Sequence, residues 1–250
     1  ADHFIKNVPE FQQLLVAALE QARAGNLVTL GIYPTFPATG YGYVQRGEKL
    51  IGEHLRDAYR VLKFKEKPDV EAARMMLADG QHLWNSGMFV WRTDRILEEF
   101  ALWMPDLYSV LEQIQDNWGA PGCGALIQSL WGGIIPETID YGIMEKAGQV
   151  VVIPAVDLGW NDVGSWDSLF EVLPVDDQGN LALSGPVMIK RSSDNLLLSE
   201  VEGKLIALLG VKGLVVIDTP RTLLVCSKDQ AQSLREIVSG VKENGLGEYL

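Results

Sequence analysis

Apolar residues near the start of the chain recur at helical spacing and then form a short unbroken run. One helical face consists of Phe11, Leu14, Leu15, Ala18, Leu19 and Ala22. Gly25 follows this stripe and marks the end of the predicted helix. Residues 27–32 are almost all aliphatic, which predicts a buried strand. A helix followed directly by a buried strand is typical of an α/β domain built on a mostly parallel sheet.

The middle of the chain predicts further helices and strands. Asp69 is suited to cap a helix that ends before Gly80, and Thr93 and Pro105 stand at the starts of two more helices. A fourth helix is predicted over residues 138–147. Strands are predicted over four stretches, at residues 43–46, 59–65, 84–91 and 150–153.

The pattern changes near Pro174. Short apolar runs now alternate with Gly, Ser and Asp, at residues 186–190, 195–199, 204–209, 214–218 and 222–226. Short strands at regular spacing with turns between them predict a small all-β unit, and a helix over residues 228–242 follows it. We therefore predict two domains, residues 1–175 and residues 176–250.

Composition and charge narrow the class of protein. The 250 residues are 47% hydrophobic and 22% charged, which is typical of a folded globular chain. A net charge of −12 argues against binding a nucleic acid polymer through a basic face. No apolar stretch approaches the roughly 18 residues that span a membrane. Two cysteines and scattered histidines predict neither a disulfide scaffold nor a zinc site, so we expect a cytoplasmic enzyme or binding protein.

Two stretches in the first half carry groups suited to a ligand. Gly40 and Gly42 bracket Tyr41 in a loop, where glycine permits a close approach of the backbone to a ligand; the alternative is a proline-stiffened turn with packing tyrosines. Glu66 and Lys67 end a predicted strand. A carboxylate accepts hydrogen bonds from sugar hydroxyls and an ammonium neutralises phosphate, although a charged strand end is more often simply solvated.

Two later stretches offer an amide and a carboxylate. Asn85 and Gly87 combine donor and acceptor groups with room for close approach, or form an Asx turn that leads into a strand. Asp162 is suited to a hard cation such as Mg²⁺, or to capping a helix that starts at Ser165. Asp140 and Glu145 are predicted to lie on a solvated helix face.

Taken in order, residues 39–43, 64–68, 84–89 and 160–166 resemble the sugar-nucleotidyltransferase family. The resemblance implies a Rossmann-like α/β nucleotidyltransferase domain followed by a small left-handed β-helix domain. It also implies a reaction in which mannose 1-phosphate and GTP give GDP-mannose and pyrophosphate with Mg²⁺. The sugar phosphate then attacks the α-phosphorus in line, without a covalent enzyme intermediate.

The resemblance also implies roles for individual residues. Asp2 and Asp162 match the two metal-binding acids, and Lys67 matches the lysine beside the sugar phosphate; these three are the expected catalytic residues. Sugar-contacting positions are matched by Gly42, Glu66, Asn85 and Gly87. The family's C-terminal domain and the exposed strand edges expected here predict a homodimer.

The sequence departs from the family at its front, because no counterpart of the glycine-rich nucleotide-binding segment occurs. We expect the chain to be a fragment of a full enzyme that does not turn over GTP by itself; the segment could instead lie on another chain. Two other functions stay open. One is a catalytically inactive regulatory relative that senses GDP-mannose, and the other is a thymidylyl- or uridylyltransferase for glucose 1-phosphate.

Overall fold

A computed structural model describes residues 2–51 and 55–250 of the chain. Within them the elements, in chain order, are β1 (Asp2–Ile5), α1 (Val8–Arg23), β2 (Leu27–Ile32), β3 (Gly42–Lys49), β4 (Tyr59–Lys65), α2 (Val70–Asp79), β5 (His82–Val90), α3 (Thr93–Trp103), α4 (Pro105–Asp116), α5 (Cys123–Gly132), a π-helical turn (Asp140–Met144), β6 (Val150–Ala155), β7 (Trp160–Val163), α6 (Leu169–Val172), β8 (Leu181–Ala182), β9 (Val187–Lys190), β10 (Leu196–Ser199), β11 (Ile206–Leu209), β12 (Leu214–Asp218), β13 (Leu223–Ser227) and α7 (Leu234–Glu243).

The chain divides into two compact units. The sheet unit comprises Lys6–Leu158, and the coil unit comprises Gly159–Leu250 together with the segment that ends at Ile5. The domain boundary predicted at residue 175 lies inside the coil unit, between α6 and β8. A search of the described residues finds no helix that is long and apolar enough to cross a membrane.

The five strands of the sheet unit are hydrogen-bonded in the order β2-β5-β3-β4-β6, and β6 pairs back with β2 so that the sheet closes. Only β2 and β6 run parallel; the other pairs are antiparallel. The expectation of a mostly parallel sheet is therefore wrong. Strands β3 and β4 follow each other with a connection shorter than the dozen or so residues that a parallel crossover needs.

The core of the sheet unit lies between this sheet and the helices. Each strand contributes an apolar side chain, and α3 and the π-helical turn cover them: the buried cluster is Leu27, Val44, Phe64, Leu83, Ile96, Ile143, Met144, Val150 and Val152. Packing of these apolar side chains fixes the strand register. That register decides which polar residues meet where the strands end.

The predicted helix boundaries in this unit are confirmed at α1 and α2. Helix α1 ends just before Gly25, whose φ of 90° is the left-handed conformation that glycine adopts without strain. At α2, the Asp69 carboxylate accepts a hydrogen bond from the Ala72 N–H at 2.8 Å, and Gly80 closes the other end.

The coil unit contains parallel strands stacked in successive turns. Strands β8, β10 and β12 pair in parallel, β13 extends their sheet by pairing antiparallel with β12, and β9 and β11 form a second, parallel sheet. The register pairs Val187 with Ile206 and Leu196 with Val215, so these turns of the coil each take 19 residues. The five short strands predicted here are confirmed, each starting within two residues of the expected position.

Equivalent positions in successive turns share the same backbone conformation and polar contacts. Gly179, Asp194 and Gly213 all have positive φ at one corner of the coil. Next to them Asn195, which is fully buried, donates from Nδ2 to Asn180 Oδ1 at 2.8 Å and accepts from the Leu214 N–H at 2.9 Å. This ladder satisfies polar groups that no water reaches, so it ties one turn to the next.

Candidate functional site

The register of β3 against β5 sets Gly42 directly opposite Asn85. Glu66 follows the end of β4, and its carboxylate occupies the space above Gly42. A Cβ added to Gly42 would lie 2.3 Å from Glu66 Oε2 and 3.4 Å from Asn85 Cβ. The absence of a side chain at position 42 therefore makes room for the carboxylate beside the amide.

The preceding loop is also held by aromatic packing. Tyr43 is fully buried and its hydroxyl donates to the Ala38 carbonyl at 3.0 Å. Phe36 and Tyr41 pack edge-on against Trp84, with ring centroids 4.9 and 5.1 Å away. The packing role considered for the tyrosines is therefore present, and it coexists with the close approach at Gly42.

Asn85 is buried and its amide is fixed by three hydrogen bonds. Its Oδ1 accepts from Thr29 Oγ1 at 2.8 Å and from the Gly87 N–H at 3.3 Å. Its Nδ2 donates to Asp140 Oδ1 at 3.0 Å. The contact with Gly87 is the Asx turn considered from the sequence, so Gly87 orients Asn85 through its backbone.

A cation and a third carboxylate border Glu66. Lys67 Nζ lies 3.6 Å from Glu66 Oε1, and Glu145 Oε1 accepts from the Glu66 N–H at 3.2 Å. Lys67 itself has a φ of 42°, a left-handed conformation that is unfavourable for a lysine. Such strain is typical of functional sites, where the surrounding structure imposes it.

Burial raises the pKa of Glu66, and the nearby Asp140 charge raises it further, while Lys67 acts in the opposite direction. Burial also raises the pKa of Asp140, against the hydrogen bond from Asn85 that lowers it. Two carboxyl groups therefore share a site where their charges are costly. They gain most from a ligand that supplies hydroxyl donors.

This cluster offers carboxylate acceptors from Glu66 and Asp140, a donor from Asn85 and a cation from Lys67. A ligand with several hydroxyls and one phosphate matches that set, because hydroxyls donate to carboxylates and the phosphate attracts the ammonium. The sequence indicated Gly42, Glu66, Lys67, Asn85 and Gly87, and the structure places all five in this one neighbourhood.

Three residues of the cluster were missed from the sequence. Asp140 and Glu145 were expected on a solvated helix face; Glu145 is exposed, but Asp140 is half-buried and bonded to Asn85. The expectation assumed an α-helix, whereas Asp140–Met144 is a π-helical turn with a different spacing. Thr29 carried a usable signal, since a hydroxyl inside an aliphatic strand requires a partner.

Asp2 and Asp162 lie in the coil unit, on the paired strands β1 and β7. The register sets His3 opposite Asp162 and Asp2 opposite Val163. Because side chains alternate along a strand, His3 and Asp162 share one face of this ribbon and Asp2 starts on the other, exposed at the strand end. Asp162 is inside β7 and caps no helix; the turn that starts at Trp166 has no side-chain cap.

Asp162 is the residue that fits a cation. Its Oδ1 is buried without a hydrogen-bond partner, and His3 Nε2 is 4.0 Å away. An orphaned, buried carboxylate oxygen is a suitable ligand for Mg²⁺, which binds one or two carboxylates and completes its shell with water and phosphate oxygens. Across residues 2–51 and 55–250, no group of three or more His, Cys, Asp or Glu side chains forms a closed metal cage.

Two family models match the chain. Residues 1–178 match the nucleotidyl transferase family, and residues 189–240 match the "MannoseP isomerase/GMP-like beta-helix domain". The first match covers more than half of the chain, so the chain belongs to the nucleotidyl transferase family. The β-helix match agrees with the stacked turns of the coil unit.

Individual relatives show which members of the family the chain is similar to. The chain is 40% identical over its whole length to mannose-1-phosphate guanylyltransferases of Klebsiella pneumoniae and Escherichia coli. It covers 52% of each, so the chain spans about half the length of these relatives. A crystal structure described as mannose-1-phosphate geranyltransferase from Thermus thermophilus superimposes with a TM-score of 0.81 at 32% identity, covering 96% of this chain and 68% of that one. The resemblance stated from the sequence is confirmed.

We predict that Glu66→Gln stabilises the fold at neutral and higher pH. The raised pKa means that the folded state favours protonated Glu66, so this contribution to stability is present at low pH and is lost as the pH rises through the folded pKa. Glutamine cannot ionise, so the variant does not lose this stability as the pH rises. Thermal unfolding at pH 8 should give a higher Tm for Glu66→Gln than for the wild type, and the difference should vanish near pH 4.

The exposed Glu48→Gln substitution on β3 is the matched control, and its Tm should follow the wild type at both pH values. A lower Tm for Glu66→Gln at pH 8 would show that the ion pair with Lys67 outweighs the cost of burial.

Proposed function

We propose that this chain belongs to an enzyme that transfers a guanylyl group from GTP to mannose 1-phosphate, giving GDP-mannose and pyrophosphate with Mg²⁺. The observation that carries the proposal is the Glu66 carboxylate seated over Gly42 beside Asn85 and Lys67, a set of groups matched to a sugar phosphate. The names of the two relatives that are 40% identical support the same substrates.

Sugar binding in this proposal uses the groups that line the cluster. Glu66 accepts hydrogen bonds from hydroxyls of the sugar ring, and Asn85, whose amide also bonds to Asp140, donates its remaining N–H. Hydroxyl donors also relieve the cost of holding two half-buried carboxyl groups together, since a hydrogen bond to the charged form lowers its pKa again. Binding should therefore strengthen as Glu66 and Asp140 ionise.

Lys67 neutralises the phosphate of the sugar. Lys67 Nζ lies 3.6 Å from Glu66 Oε1, so the ammonium is next to the carboxylate proposed to bind the sugar. The phosphate oxygen attacks the α-phosphorus of GTP in line, and pyrophosphate leaves. Such a reaction needs positioning and charge neutralisation rather than a covalent intermediate.

Asp162 is the residue proposed to hold Mg²⁺, and its buried Oδ1 without a hydrogen-bond partner supports this role. Asp2, expected from the sequence as the second ligand, starts on the other face of the ribbon, so the strand pairing gives no support for Asp2 as a ligand of the same ion. The bound cation would supply charge neutralisation for the triphosphate.

The exposed edge of the sheet in the coil unit is suited to self-association. Strand β13 is at the edge of its sheet and exposes Leu223 and Val225, with 61% and 54% of their surfaces accessible. We propose that this apolar edge joins two copies into a homodimer.

A cytoplasmic location follows from the substrates, since GTP and sugar phosphates are cytoplasmic metabolites.

The main test is pyrophosphate release by the full protein. With Mg²⁺ present, GTP plus mannose 1-phosphate should give the highest rate in a panel that crosses GTP, dTTP and UTP with mannose 1-phosphate and glucose 1-phosphate. Chelation of Mg²⁺ should abolish the reaction. A higher rate with dTTP or UTP and glucose 1-phosphate would assign the other transferase, and no release with any pair would support an inactive relative.

Gly42→Ala tests the sugar site directly. The new methyl group would displace the Glu66 carboxylate, so titration calorimetry of the 250-residue chain should show mannose 1-phosphate binding weakened by about tenfold or more. Gly40→Ala is the matched control from the same loop, because a Cβ there meets no atom within 4 Å. Equal affinity in the two variants would contradict the proposed site.

The dimer is tested by light scattering coupled to gel filtration. Wild-type protein should elute with twice the mass of one chain, and Val225→Glu should elute as a monomer, because a carboxylate would replace an apolar contact. A monomeric wild type at micromolar concentration would refute the homodimer.

A further inference from the structure

The amide of Asn85 has one group left for a ligand. Both acceptor directions of Oδ1 are used, by Thr29 Oγ1 at 2.8 Å and by the Gly87 N–H at 3.3 Å. One N–H of Nδ2 donates to Asp140 Oδ1 at 3.0 Å. An amide has two N–H donors and one oxygen with two acceptor sites, so a single N–H remains. Asn85 is 8% exposed, so this inventory is nearly complete.

Asp140 decides which way the amide faces. A carboxylate only accepts hydrogen bonds, so Asp140 requires the NH₂ group on its side. Rotating the amide by half a turn would set its oxygen against the carboxylate and its NH₂ against the Gly87 N–H. Two repulsive contacts would then replace two hydrogen bonds.

We propose that Asp140 is a positioning residue, which locks the Asn85 amide so that its free N–H donates to a hydroxyl of the sugar phosphate. This inference rests on the proposed function and deepens it. Glu66 and Asn85 both lie beside Gly42, because a Cβ added to Gly42 would be 2.3 Å from Glu66 Oε2 and 3.4 Å from Asn85 Cβ. A hydroxyl of a sugar bound beside these two residues accepts a hydrogen bond from the Asn85 N–H and donates one to the Glu66 carboxylate.

The arrangement makes the site selective for the direction of a hydroxyl. A hydroxyl accepts from Asn85 and donates to Glu66 only when its oxygen lies between them, so a sugar with the opposite configuration at that carbon leaves both groups unpaired. Buried polar groups without partners are costly, and this cost is the usual source of strong discrimination between similar ligands. Locking the amide keeps Asn85 from adapting to the wrong epimer.

The backbone around Asp140 suits this role. The residue starts the π-helical turn, and Gly142 within that turn packs against Met104, with Met104 Sδ 2.6 Å from the position of a Cβ. Ile143 and Met144 are buried in the core of the sheet unit. The turn is therefore anchored on its apolar side, and the Asp140 carboxylate is held at a fixed distance from β5.

The test is a double-mutant cycle on the affinity of the 250-residue chain for mannose 1-phosphate, measured by titration calorimetry. Asp140→Ala should weaken binding by about tenfold. In an Asn85→Ala background the same change should have little further effect, because its target is gone. Asp140→Asn keeps an acceptor oxygen and should retain part of the affinity. Glu112→Ala, on the exposed face of α4, is the control and should bind as the wild type does.

Each outcome separates this inference from the proposed function. If the wild type binds no mannose 1-phosphate, the proposed function fails. If the wild type binds and Asp140→Ala binds equally well, or loses as much affinity in the Asn85→Ala background as alone, then Asp140 does not act through Asn85. Asp140→Asn controls for loss of affinity through unfolding. Burial raises the pKa of Asp140, so removing the charge should leave Tm unchanged or higher.

Discussion

The register of the closed sheet is the constraint on which the candidate site depends. Gly42 lies opposite Asn85 because β3 and β5 pair in one alignment only, and that alignment is fixed by apolar side chains packed on the sheet. A shift by one residue would turn each side chain to the other face. The free energy that holds the site in place thus comes from residues such as Val44 and Leu83, which touch no ligand.

Within that frame, the polar cluster is a compromise between stability and binding. Two carboxyl groups, Glu66 and Asp140, are held near each other at a cost that the raised pKa of each reports. One ammonium, Lys67, offsets part of the cost. The remaining free-energy cost is already present in the folded protein without ligand. A hydroxyl-rich ligand therefore meets acceptors that need no rearrangement. The coil unit differs from this cluster, because its buried polar groups form hydrogen bonds with one another from turn to turn and leave none for a ligand to complete.

Sequence patterns predicted local structure well where a local signal exists. Strands β9 to β13 begin within two residues of the expected positions, because each apolar run is bounded by turn residues such as Gly213. Strands β1, β7 and β8 of the same unit were not predicted. Strand direction in the sheet unit was not predictable in the same way, because pairs such as β2 with β6 join segments far apart in the chain. At the site, Gly42, Glu66 and Asn85 stood out by residue chemistry and resemblance. Asp140 did not, because its partner Asn85 is 55 residues away and no local pattern reports such a contact.

The repeat length of the coil unit has a consequence for how this region can change in length. Strands of successive turns pair in register only if an insertion or deletion supplies a whole turn or is absorbed at a corner. The step from Leu181 to Leu196 is 15 residues, and the step from Leu196 to Val215 is 19, so four residues are already absorbed at corners. Insertions and deletions in the coil unit are therefore restricted in size. The corners accommodate a few residues, and larger changes add or remove complete turns.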